Sequence, residues 1–435
     1  MTTATIDMSA APKPPPAQGQ AFARAAAAAS PVARERDIRL DFYRGLAMFI
    51  ILFAHTPGNL FTSWIPARFG FSDATEIFVF CSGMASAIAF GAVYANRGWP
   101  MGSARIAFRV WQVYWAHVGL FLAVAATVAA LNASGLFMRD YVAQLNLYPF
   151  FEDTAANLIG LLTLSYVPNY FDILPMYLVI LAMVPLMMGL ARIDPRLALA
   201  GSALIWAATQ VGGFAQGGYE ALAPLAARLE FLHLPAQYWF EPPNNTRNWF
   251  FNPFGWQLVF FTGFGFMRGW IPAPPVRPWL IGLALAVVLV NIPLSHIGMR
   301  ELGTADWARD WRIANTPFFD KTDFGILRYT HFLSLAYLGW VAAGSGGHRL
   351  KADPRGMLGA AWGRLLRWIL KVGQQSLAVF ITSMWLARIL GVWLDEAGRN
   401  LPTFWLVNVT GCAVLIAVAY VAGWFKSHPW RKPKV

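Results

Sequence analysis

RGLAMFIILFAH, residues 44–55, is the stretch on which the reading of this chain turns. It opens an apolar run from Gly45 to about Trp64, close to the roughly 20 residues that cross a bilayer as a helix. An ionisable side chain stands at its head and another within it, and a membrane span rarely holds such a group without a use. At 3.6 residues per turn, the eleven steps from Arg44 to His55 make about three turns. Both side chains then share one helix face, roughly 16 Å apart along the axis. Arg44 is expected at a membrane edge and His55 near mid-bilayer, beyond the reach of either surface.

The rest of the composition agrees with a membrane setting. Of 435 residues, 57% are hydrophobic and 13% charged, and the mean hydropathy is +0.46, which excludes an ordinary soluble domain. The net charge of +12 lies in short clusters between apolar runs, a topology pattern and not a nucleic-acid stripe. Cys81 and Cys412 both fall in apolar segments and read as small packing residues. Residues 1–37, rich in Ala and Pro without a secretory apolar core, read as a disordered cytoplasmic tail. Residues 38–426 form the membrane domain and 427–435 a basic cytoplasmic tail.

Apolar windows predict about ten transmembrane helices, near 45–64, 74–94, 106–131, 173–191, 197–215, 254–270, 278–297, 325–345, 373–394 and 404–425. The fold class is therefore all-α and polytopic. The sixth window is short and carries Gly255, Gly263, Gly265 and Gly269, so it is expected to be broken or tightly packed. The stretch 157–166 is too short to span and reads as re-entrant or interfacial. Most of the 34 basic residues fall on the side of the N-terminal tail, which makes both termini cytoplasmic.

The opposite loops, about 132–172, 216–253 and 298–324, are long and aromatic. Trp239 and Trp249, among neighbouring amides, suit a carbohydrate, whose C–H faces stack and whose hydroxyls need donors and acceptors; an interfacial aromatic belt is the alternative. Glu76, Arg328, His331 and Arg388 are expected in the outer half of the membrane, where charge demands pairing or water. Glu76 is expected to pair with either Arg388 or Arg328. His117 and His296 read as packing or interface residues, and Arg44 taken alone as a positive-inside anchor. His55 suits general-base work because imidazole titrates near neutrality. No nucleotide-binding glycine loop or zinc-ligand spacing is visible, and no metal is expected.

Residues 44–55 match the R-x10-H pattern of the acyltransferase-3 superfamily. The stretches RLDFYRGLAMFIILFAHTPGN (39–59), FGFSDATEIFVFCSGMASAIAFG (69–91) and FNPFGWQLVFFTGFGFMRG (251–269) resemble the OpgC family, associated with succinylation of osmoregulated periplasmic glucans. The resemblance runs over nearly the whole chain after the tail. It implies a ten-helix acyltransferase of the bacterial inner membrane, with acyl-CoA (succinyl-CoA) as cosubstrate, no permanently bound cofactor, and a periplasmic glucan as acceptor. By the same resemblance His55 is the catalytic base and Arg44 its partner. Asp73 and Glu76 lie in the family-like segment; their roles, substrate binding and catalysis, follow from position. Arg328 or Arg388 is expected to hold the free carboxylate of a succinyl group, since a guanidinium grips a carboxylate as a fork. The rival reading is a transporter or flippase for an anionic or glycosidic solute, using the same ionisable cluster as a proton relay.

Overall fold

The apolar run that begins at Gly45 does not stay helical to Trp64. In the computed structural model the first helix, α1, is Arg39–His55, so His55 is its last residue and not its midpoint. The reason lies in Thr56-Pro57-Gly58: the residue before a proline is pushed out of the helical region, and Thr56 is extended (φ −78°, ψ 110°). The chain then makes two short turns, Leu60–Trp64 and Pro66–Arg68. Arg44 correspondingly lies in the second turn of α1 and not at its head. The described residues are 37–237, 247–352 and 355–431. The N-terminal tail, residues 238–246 with Trp239, and the last four residues of the basic C-terminal tail lie outside them.

The helices of ten or more residues that follow are α2 (Ala74–Ala133), α3 (Thr154–Thr163), α4 (Ile173–Ile193), α5 (Pro195–Gln216), α6 (Pro253–Arg268), α7 (Pro278–Asn291), α8 (Ala305–Ala314), α9 (Ile326–Ala343), α10 (Met357–Gln374), α11 (Ser376–Ala397) and α12 (Leu401–Lys426). No β-strand occurs among the described residues. Five helices, α2, α4, α5, α11 and α12, are long and apolar enough to cross a membrane. The first of them, α2, is 60 residues long and bends at Gly98 (φ 78°, ψ 177°), two residues before Pro100; the expected second and third spans are its two arms. The stretch expected to be too short to span is α3, ten residues, capped by the Asp153 side chain and ended by Leu164 in the left-handed region.

Glycine decides how closely the helices approach. The sixth window is an unbroken helix, α6, packed tightly against α2: a Cβ on Gly83 would collide with the Phe260 carbonyl, and one on Gly263 with the Phe80 carbonyl. Such reciprocal small residues let two backbones touch where lipid supplies no hydrophobic drive. The same device joins α1 to α10, where Gly45 faces the Ile369 carbonyl and Gly373 the Asp41 carbonyl. Helix α10 is amphipathic, burying Leu366, Ile369 and Val372 while Arg364 and Arg367 stay exposed, a pattern of one apolar stripe against a partner.

The long loops interlock. Val167 N–H donates to the Ala236 carbonyl at 2.9 Å and Trp249 N–H to the Leu234 carbonyl at 2.8 Å, while Asn252 N–H donates to the Thr322 carbonyl at 3.0 Å. Residues near 167, 235, 248 and 322 thus form one framework at the end of the bundle where α1 stops and α2, α6 and α9 begin.

Candidate functional site

Two features fix His55. Its Nδ1 lies 2.8 Å from the Ile51 carbonyl oxygen. A carbonyl can only accept, so Nδ1 carries the proton and Nε2 keeps the lone pair. The ring also packs edge-on against Tyr170 at 5.4 Å. It remains partly exposed, so the imidazole is not sealed among hydrocarbon neighbours. Arg388 donates through Nη2 to the His55 carbonyl at 2.9 Å and lies 4.4 Å above the Tyr170 ring. The Tyr170 hydroxyl in turn donates to the Met384 carbonyl. The three side chains thus brace the end of α1 from α11 and the loop before α4. Arg388 is engaged there and does not line the main cavity.

That cavity, about 490 Å³, meets the end of α1 at Ala54 and is also walled by Arg68, Phe71, Asp73, Arg312 and Lys321, among others; His55 itself is not one of its lining residues. Below Asp73 the first turn of α2 organises the charges. Asp73 and Glu76 form a capping box: the Asp73 carboxylate accepts from Thr75 N–H at 2.7 Å, and Glu76 Oε2 accepts from Asp73 N–H at 2.7 Å. Glu76 is fully buried. Its other oxygen receives Arg328 from α9, Nε at 2.9 Å and Nη2 at 2.6 Å. Of the two expected partners, Arg328 is therefore the one that pairs with Glu76. Asp73 receives Lys321 Nζ at 2.5 Å and stands 3.6 Å from Arg328 Nη2. Two carboxylates and two cations from three separate segments neutralise one another, which is how buried charge is tolerated. Lys321 and Asp73 are both close enough to His55 for their charges to act on it.

His331, one turn beyond Arg328, is buried with Nδ1 2.7 Å from the Ser72 hydroxyl; its Nε2 has no partner among the described residues. Trp249 is 4% exposed and donates its indole N–H to the Pro235 carbonyl at 3.1 Å, inside the loop framework with Val167 and Ala236. It does not line the cavity. Arg44 sits at the far end of α1 and donates through Nη2 to the Ser376 hydroxyl at 2.5 Å, with Nε unpartnered. His117 is fully buried, whereas His296 is exposed and lies on the cavity rim.

Lys321, Ser72, Tyr170, Arg68 and Arg312 are the site residues that the sequence did not single out. Only Lys321 had a visible signal, as a cation between Asp320 and Asp323. The others are ordinary loop residues, or in the case of Arg312 an ordinary residue of a short helix, until the fold brings them to His55 or the cavity.

No match to the chain was found among curated proteins or among solved structures. A family model described as OpgC protein matches residues 36–427, which takes in α1, the capping box, the loop framework and every helix through α12. The chain therefore belongs to the OpgC family.

Proposed function

We propose that the protein is a membrane O-acyltransferase that moves an acyl group, succinyl in the family's pattern, from cytoplasmic acyl-CoA to a hydroxyl of a periplasmic glucan. Family membership suggests the coarser class, a glucan-modifying acyltransferase. The observation that carries the finer reading is the state of His55: Nδ1 is committed to the Ile51 carbonyl, Nε2 keeps its lone pair, and the residue is partly exposed next to Ala54, which lines a cavity large enough for a sugar-sized group.

In this reading ten spans leave both termini on the cytoplasmic side of a bacterial inner membrane. Acyl-CoA approaches from the Arg44 end of α1 and the glucan from the His55 end. His55 Nε2 accepts the proton of the attacking hydroxyl as its oxygen bonds to the thioester carbonyl carbon. The C–S bond then breaks, and the CoA thiolate leaves and is protonated by the imidazolium. The Asp73–Glu76–Arg328–Lys321 network holds the start of α2 and the loop before α9 around the reacting atoms. Glu76 acts by positioning, since both its oxygens are engaged.

The test is thiol release from acyl-CoA by purified protein, with and without glucan. Native protein is expected to release thiol in an acceptor-dependent manner, and His55→Ala to lose about 10²–10⁴-fold while unfolding at an unchanged temperature. Full activity in His55→Ala removes the base assignment. Glycan or solute transport without acyl-CoA consumption replaces the enzyme with a transporter.

A further inference from the structure

The cavity at the end of α1 carries more positive charge than its own carboxylates balance. Lys321 and Arg328 are matched by Asp73 and Glu76. Arg68 and Arg312, which also line it, have no carboxylate within ion-pair distance among the described residues. Each engages only part of its guanidinium: Arg68 Nε donates to the Thr62 carbonyl at 3.2 Å, and Arg312 Nη1 to the Leu294 carbonyl at 2.9 Å. The remaining carboxylate on the wall, Asp320, accepts from the Asp323 N–H at 2.8 Å, and burial raises its carboxyl above the ordinary value. It forms no ion pair with Arg68 or Arg312 among the described residues. His296, exposed on the rim, is lowered from its ordinary value by the little desolvation it has and by the charges of Arg68, Arg300 and Arg312.

Arg312 is also held in place. Its guanidinium carbon lies 4.5 Å from the Phe319 ring centre and 5.6 Å from that of Phe71. Phe71, Phe319 and Trp311 stack nearly parallel, 11–18° apart in plane. A solvated surface arginine has no need of such a mount. A half-buried guanidinium fixed by aromatic faces and one carbonyl, with no carboxylate, presents an uncompensated fork to whatever enters.

We infer that Arg68 and Arg312 form a subsite for a carboxylate carried by the substrate in this cavity, one contributed by the loop after α1 and the other by α8. The carboxylate comes either on the acyl group being transferred or on the acceptor glycan; this choice of source rests on the acyl-transfer reading, whereas binding does not. Arg328 is locked to Glu76, and Arg388 does not line this cavity.

Binding is measured on the full-length protein in detergent with succinate alone as the probe, at constant ionic strength, by thermal unfolding and by equilibrium titration. Succinate is expected to raise the Tm of native protein, and Arg312→Gln and Arg68→Gln are each expected to weaken binding about tenfold, the loss of one charge-assisted contact. Arg312→Lys, which keeps the charge and loses the fork, falls between. No response in native protein, or the same response in native and both variants, overturns the subsite. Turnover then identifies the source. If the acyl group brings the carboxylate, Arg312→Gln lowers the ratio of kcat/KM for succinyl-CoA over acetyl-CoA about tenfold; if the acceptor brings it, the ratio for acidic over neutral glucan falls instead. Both ratios unchanged also overturns the inference. Native protein that releases thiol from no donor defeats the acyl-transfer reading and leaves the succinate titration to decide the subsite.

Discussion

The two ends of α1 are held by different physics. At the Arg44 end, glycines let backbone meet backbone, Gly45 on Ile369 and Gly373 on Asp41, and the fit is one of shape. At the His55 end the helix stops, and what surrounds it is held by charge: Glu76 and Asp73 against Arg328 and Lys321. Shape fixes α1 along its length, and charge gathers loops that share no regular structure. A helix locked at one end and open at the other can hold an imidazole at its last residue without losing its register.

The sharpest way to break that contrast is at the charged end. Arg328→Ala leaves the fully buried Glu76 carboxylate without its cation, and removing one member of a buried pair costs about 3–5 kcal/mol. A large fall in unfolding temperature is expected, partly recovered in Arg328→Ala/Glu76→Gln, where the stranded charge is gone. If the double variant is no more stable than the single, Arg328 acts by packing and the charge account of this end fails. At the other end, Gly373→Val drives a side chain into the Asp41 carbonyl and should cost about 1–3 kcal/mol as overpacking. Here the loss should be insensitive to salt and pH, and a salt-dependent loss would show that the two ends are not held differently.

Each end is legible in the sequence only in part. The positions of the five long apolar helices, the tight packing of α6 and the need of Glu76 for a buried partner follow from apolar windows, glycine spacing and the presence of charge in apolar surroundings, all of which are local. The end of α1 is hidden in the sequence because Leu60, Phe61, Trp64 and Ile65 prolong the apolar run beyond the Pro57 signal that stops the helix. Helix α10 was missed as an element because an amphipathic stripe with arginines does not read as a span. Which arginine pairs with Glu76 was beyond sequence, since the partners are 252 residues apart and each of two candidates had the right charge and depth. Trp249 illustrates the converse: an exposed-looking loop tryptophan is buried because the loops pack on one another.

A smaller effect probes the shape-held end functionally. Ser376 Oγ accepts from Arg44 at 2.5 Å and fixes where that guanidinium points. Ser376→Ala removes a hydrogen bond worth about 1 kcal/mol, so KM for acyl-CoA should rise about fivefold with kcat little changed. A fall in kcat at constant KM would assign Arg44 to the chemical step and not to donor binding.

The smallest expected effect lies in the loop framework. His233 Nε2 stands 3.2 Å from Asp323 Oδ1, and Asp323 also accepts from Asn252 Nδ2 at 2.8 Å and, through its backbone carbonyl, from Gln210 Nε2 at 2.7 Å. The hydrogen bond to Asp323 raises His233 above its ordinary value of 6.5; burial opposes this, and the charges of Asp323, Glu230 and Asp320 reinforce it. A raised folded-state value means that the imidazolium stabilises the folded chain fully below pH 6.5 and that this contribution fades as pH rises through the folded-state value. The pair is partly solvated, so the contribution is at most about 1 kcal/mol. His233→Gln should therefore lower Tm at pH 5.5 and leave it nearly unchanged at pH 9, whereas Gly373→Val should lower it equally at both. If His233→Gln costs the same at both pH values, its contact with Asp323 is a neutral hydrogen bond, and the charge-held character of this end stops at the Asp73–Glu76 network.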